Sequence, residues 1–96
     1  MRESESVVSN LLHEVDTLTY RIRSIKHSFK TSSNIRLKER LIQENKVIFG
    51  RITELINIAE FLVRKSTGKI NFSVLLLEKA KRTLIESRTE QNLFFL

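Results

Sequence analysis

Between Ile35 and Lys65 the sequence places four adjacent apolar pairs at seven-residue intervals: Leu41-Ile42, Ile48-Phe49, Leu55-Ile56 and Leu62-Val63. Seven residues is two turns of α-helix, so the four pairs stack on one side of a single long helix. A stripe two residues wide exceeds what one partner helix covers. The segment is therefore expected to be central, with neighbours on two sides. Its seam reads Leu41, Asn45, Ile48, Ile52, Leu55, Ala59 and Leu62, alternating steps of four and three, with Asn45 the polar exception. Asn45 either fixes the register or marks a place where the core opens to water, the second being the simpler expectation. Gly50 falls opposite the stripe and costs roughly 1 kcal/mol against Ala in a helix interior. A bend or a close approach of another backbone would account for it.

The flanking segments carry helical periods of their own. From about Ser4 to Phe29, apolar residues fall at Val8, Leu11, Val15, Leu18, Ile22, Ile25 and Phe29, an unbroken alternation of three and four. Ser4 or Ser6 is the expected cap. A short polar break, Lys30 to Asn34, makes this helix and the central one antiparallel neighbours, with Ser33 or Asn34 capping the second. Gly68 suits the end of the central helix. A third helix is expected from about Asn71 to Glu90, capped by Asn71 with Ile70 and Leu75 as a staple. Val74, Leu77, Ala80, Leu84 and Ser87 are its expected inward face, broadened by Leu75, Leu76 and Ile85. Residues 91–96 form an apolar tail ending Leu93-Phe94-Phe95-Leu96.

The expected fold is thus all-α: one domain over residues 1–96, an elongated antiparallel three-helix bundle running up, down and up. A coiled-coil-like dimer is the further option. A central helix of 31 residues would be about 45 Å long, so the molecule should be a rod with a thin core. Composition agrees: the chain has 96 residues, no Pro and two Gly, which argues against a turn-rich β fold. A chain this size buries only roughly 60–65% of its unfolded surface, so a partner would add to its stability.

Several function classes lose support at this level. Without Cys there is no disulfide framework, thiolate metal site or thiol nucleophile. His13 and His27 lie four turns apart, too far to share a metal, and neither a His-Glu-x-x-His nor a Glu-x-x-His motif occurs. Most of the carboxylates sit on outward positions within a turn of Lys or Arg, as surface charge does. No cofactor or metal is expected, and no enzyme. No apolar run approaches a membrane span, and the N-terminus lacks a secretory layout, so a cytoplasmic setting is expected.

Two surfaces remain. The first joins Val47, Ile58 and Phe61, which lie off the central stripe, to the terminal Leu93, Phe94, Phe95 and Leu96. It is the candidate surface for self-association, a dimer being favoured, or for another protein. The second is basic. Arg21, Arg23, Lys26, Lys30, Arg36, Lys38 and Arg40 are opposed only by Glu39 in their own stretch, and an antiparallel hairpin gathers them at one end of the rod. With a net charge of +6, that tip is the candidate site for nucleic acid or another polyanion. A solvated tip that aids solubility would look the same, and stacking aromatics are scarce there.

Overall fold

A computed structural model describes residues 2–65 and 72–94, with side chains from 7 to 65 and from 72 to 87. It contains three helices: α1 (Arg2–Thr31), α2 (Ile35–Lys65) and α3 (Phe72–Phe94). There is no strand among the described residues. Cross-helix pairs give the directions. Glu14 meets Arg51 and Arg21 meets Glu44, numbers running in opposite senses, so α1 and α2 are antiparallel. Asp16 meets Lys79 and Arg23 meets Glu86, numbers rising together, so α1 and α3 are parallel. The bundle is up-down-up and measures 51 × 20 × 16 Å, with a radius of gyration of 15.4 Å. A compact chain of this length would have one near 12.5 Å. The rod is real.

The turn between α1 and α2 is built from small polar groups. The Ser32 hydroxyl accepts the Asn34 amide at 3.0 Å, and the Asn34 side-chain oxygen accepts the Leu37 amide at 3.2 Å, capping α2. At the other end of α1 the expected capping role of Ser4 or Ser6 is not met: the helix begins at Arg2 and both serines lie inside it. The expected roles of Gly68, Ile70 and Asn71 fall on positions outside the described residues.

The core follows the two strong periods. Val8, Val15, Ile22 and Ile25 of α1 pack with Leu41, Ile48, Ile52, Leu55, Ile56 and Ala59 of α2. Leu11, Leu18, Phe29 and Leu62 pack against them from partly buried positions. Asn45 corrects the expectation of a wet site. It is 0% exposed, and neither its amide nitrogen nor its oxygen has a partner among the described residues. Gly50 is part of an uninterrupted helix, and a Cβ there would meet nothing within 4 Å among the described residues, so no described backbone needs it.

α3 departs from expectation in both length and rotation. It runs four residues beyond Glu90, so residues 91–94 are helix rather than a separate tail. Its inward stripe is Ser73, Leu76, Ala80, Thr83 and Ser87, all buried. Val74, Leu75 and Ile85, expected inward, are exposed, while Leu77 and Leu84 are half-buried at its flank. The physical reason is a joint one. Small residues at Ser73, Ala80 and Ser87, seven apart, let α3 approach closely, and α2 packs more closely on α3 than on α1. The same rotation brings Lys79 and Glu86 to Asp16 and Arg23 of α1. Turning the helix to bury Val74 would break both pairs.

Candidate interaction surfaces

An α-helix advances 100° per residue, so Val47, Gly50, Glu54, Ile58 and Phe61 fall within about 80° of one another on α2. All five are exposed. Val47 is 72% exposed, Phe61 53% and Ile58 37%. Three apolar side chains therefore stand in line on the outward face, as the sequence pattern indicates. Lys65 lies over the Phe61 ring, 5.5 Å from its centre. Seven residues back from Glu14 and seven on from Arg51 bring Val7 of α1 level with Ile58. Val7 is also exposed, which widens the patch toward α1.

A charged node sits in the middle of this face. Arg51 donates to the Glu14 carboxylate across the α1–α2 seam at 2.9 Å and to Glu54 on its own helix at 3.0 Å. The hydrogen bond from Arg51 is the main reason the Glu14 carboxyl is held below its ordinary value; partial burial opposes it. Arg51 is correspondingly pushed up by both carboxylates. Arg51 is shared by the two carboxylates, so the node keeps one net negative charge. Of the terminal residues, Leu93 and Phe94 belong to α3. Their side chains, together with Phe95 and Leu96, lie outside the described residues.

The basic tip is smaller than the sequence implies. Arg21 is bound by Glu44 of α2, with one nitrogen 2.8 Å from the carboxylate, and Arg23 by Glu86 of α3 at 2.7 Å. These acids come from other helices, which a count along one stretch of chain misses. The Glu44 carboxyl is held down chiefly by the Arg21 hydrogen bond. Lys38 lies over the Phe29 ring, 4.9 Å from its centre, and Lys26 is half-buried. Lys30, Arg36 and Arg40 are exposed beside the loop. Among the described residues no ion pair engages these three.

Sequence reasoning did not find the polar contacts of the α1–α3 seam. A cleft of about 150 Å³ there is lined by Val15, Asp16, Thr19, Arg23, Lys79, Arg82, Thr83 and Glu86. The Thr19 and Thr83 hydroxyls stand 2.7 Å apart, and each also reaches the carbonyl one turn back. One hydroxyl donates to the other, and the one that accepts keeps its own proton for the carbonyl one turn back, so both protons are used within the seam. Asp16, Lys79, Arg23 and Glu86 are likewise paired across the cleft. Ligand pockets usually run from about 300 to 1,000 Å³ with free convergent polar groups. This cleft is a helix seam. The signal that finds it is the three-four step of Ser73, Leu76, Ala80, Thr83 and Ser87, which uses small residues in place of large ones.

Both histidines are exposed, and no group of metal-binding residues forms among the described residues. No described helix is long and apolar enough to cross a membrane. Compared with known proteins, the chain matches no family model, no curated protein and no solved structure.

Proposed function

We propose that this chain is a non-catalytic helical interaction protein that self-associates as a dimer through the outward face of α2, in a cytoplasmic setting that its lack of cysteine permits. The observation that supports this most is the alignment of Val47, Ile58 and Phe61 on one exposed face of a helix whose other face already fills the core. Isolated exposed apolar residues are ordinary; a row of them on one face marks an interaction site. The thin core of a small rod supports the same reading, because association covers surface the chain cannot bury alone. Static light scattering from low to high micromolar concentration tests it. A mass rising toward twice that of the chain is expected, and a monomer throughout would sink the reading.

A second reading keeps the basic tip as a polyanion site. It rests on Lys30, Arg36 and Arg40, exposed together beside the Ser32–Asn34 turn. Reversing these three charges should abolish a salt-sensitive shift of duplex DNA or heparin, and no shift by the unaltered protein at low salt would end it.

A further inference from the structure

The core of the rod holds two side chains whose polar atoms the helices leave unbonded. Asn45 and Ser87 are both 0% exposed. Neither the amide nitrogen and oxygen of Asn45 nor the hydroxyl of Ser87 has a hydrogen-bond partner among the described residues. Buried polar atoms of folded proteins are bonded in the large majority of cases, to protein or to an internal water.

Register brings the two residues together. Arg21 is level with Glu44 and Arg23 with Glu86, so Asn45 stands level with residue 20 of α1 and Ser87 with residue 24. The four-residue offset is about 6 Å along the rod. Each Cα–Cβ bond tilts toward the N-terminus of its own helix, and α2 and α3 run in opposite directions. The tilt carries Asn45 toward the level of Ser87, and Ser87 toward the level of Asn45. Both side chains lean into one space between α2 and α3, yet they do not bond each other. Two hydrogen bonds to a single water span about 4.5–5 Å between the outer atoms, which suits this offset. Ile22, Ile25 and Leu41 stand at the same levels and are buried. A charged ligand in such surroundings would lose its hydration and gain no counter-charge. At the level of Asn45, the Thr19 and Thr83 hydroxyls, 2.7 Å apart, tie α1 to α3.

We infer that Asn45 and Ser87 form an internal binding site for one water molecule, which bridges the amide and the hydroxyl. The ligand is neutral, both donates and accepts, and is small enough for a seam built on Ser, Ala and Thr. The core does not open to solvent at Asn45; a single molecule of solvent is held inside it. One water leaves at least two of the four hydrogen-bonding positions of the Asn45 amide unmet. Asn45→Leu removes the amide and the water together and should still raise the thermal midpoint. The Ser87 hydroxyl then turns back to the carbonyl of Thr83, one turn earlier on its own helix.

A crystal structure of the full chain and a double-mutant cycle test the site. Density for an isolated water within about 3.2 Å of both the Asn45 amide and the Ser87 hydroxyl is expected. In urea unfolding, the loss in folded-to-unfolded ratio caused by Ser87→Ala should be about two- to tenfold greater in the wild-type chain than in the Asn45→Leu chain, the effect of one hydrogen bond. The cycle cancels the better helix propensity of Ala, which is common to both backgrounds. No coupling, or a water that reaches only one of the two residues, overturns the bridge. Coupling with no water density means that the two side chains bond directly, and overturns it as well.

Discussion

The α1–α2 hairpin and α3 reach burial by different chemistry. The hairpin brings Val, Ile and Leu to the shared core: Ile22, Ile25, Ile52 and Leu55 are fully buried. α3 presents Ser73, Leu76, Ala80, Thr83 and Ser87, of which only Leu76 is large and apolar. The hairpin is held by area removed from water. α3 is held by close approach of small residues, a hydroxyl pair and ion pairs to α1. α3 is therefore the helix that brings the fewest large apolar side chains to the buried core.

The largest test of that contrast is truncation in the hairpin. Ile52→Ala should cost about 2–5 kcal/mol in urea unfolding, the usual range for removing a large buried aliphatic group. A chain of this length has about 5–14 kcal/mol in all, so much of its stability would go. Next comes enlargement in α3. Ala80→Leu should cost about 1–3 kcal/mol by forcing α3 off its neighbours; a neutral outcome would show that the stripe is loosely packed. Asn45→Leu is expected to act in the opposite direction, stabilising by about 1–2 kcal/mol, because it removes a buried amide with no partner. Destabilisation there would reveal a bonded amide and a polar layer that matters.

The smallest effect concerns the ion pairs. Glu14 and Glu44 are both held below their ordinary value of 4.5, chiefly by hydrogen bonds from Arg51 and Arg21. A carboxyl depressed in the folded state contributes stability that is present above its unfolded value and lost as pH falls through the folded one. The thermal midpoint should fall as pH drops from neutrality below about 4.5. Both side chains are a third or more exposed, so each pair is worth less than about 1 kcal/mol. Glu14→Gln should remove most of its share of that pH dependence while costing little at low pH.

The hairpin was legible because its apolar residues obey one period without interruption. The Asn34 cap was legible because Asn accepts a backbone amide readily at that position. α3 was not, for a specific reason. Its apolar residues are spread around the helix, and a reading that seeks the largest side chains chooses Val74 and Leu75. What sets the rotation is the set of partners across the seam, and those come from α1. The same holds for the tip: Glu44 and Glu86 neutralise Arg21 and Arg23 from other helices. Asn45 was placed on the seam correctly, but its burial depends on how closely the neighbouring helices cover it. On the outward face, the exposure of Val47, Ile58 and Phe61 followed directly from their angle to the stripe.

The rod shape carries a consequence for how assembly is measured. A molecule 51 Å long and less than half as wide drags more solvent than a sphere of equal mass. It will leave a size-exclusion column early, at the position of a heavier globular protein, even as a single copy. Two such rods paired along their sides would lengthen the particle less than they double its mass. Elution volume alone would then blur the step from one copy to two. Scattering intensity and sedimentation equilibrium weigh particles irrespective of outline, and they will show that step plainly.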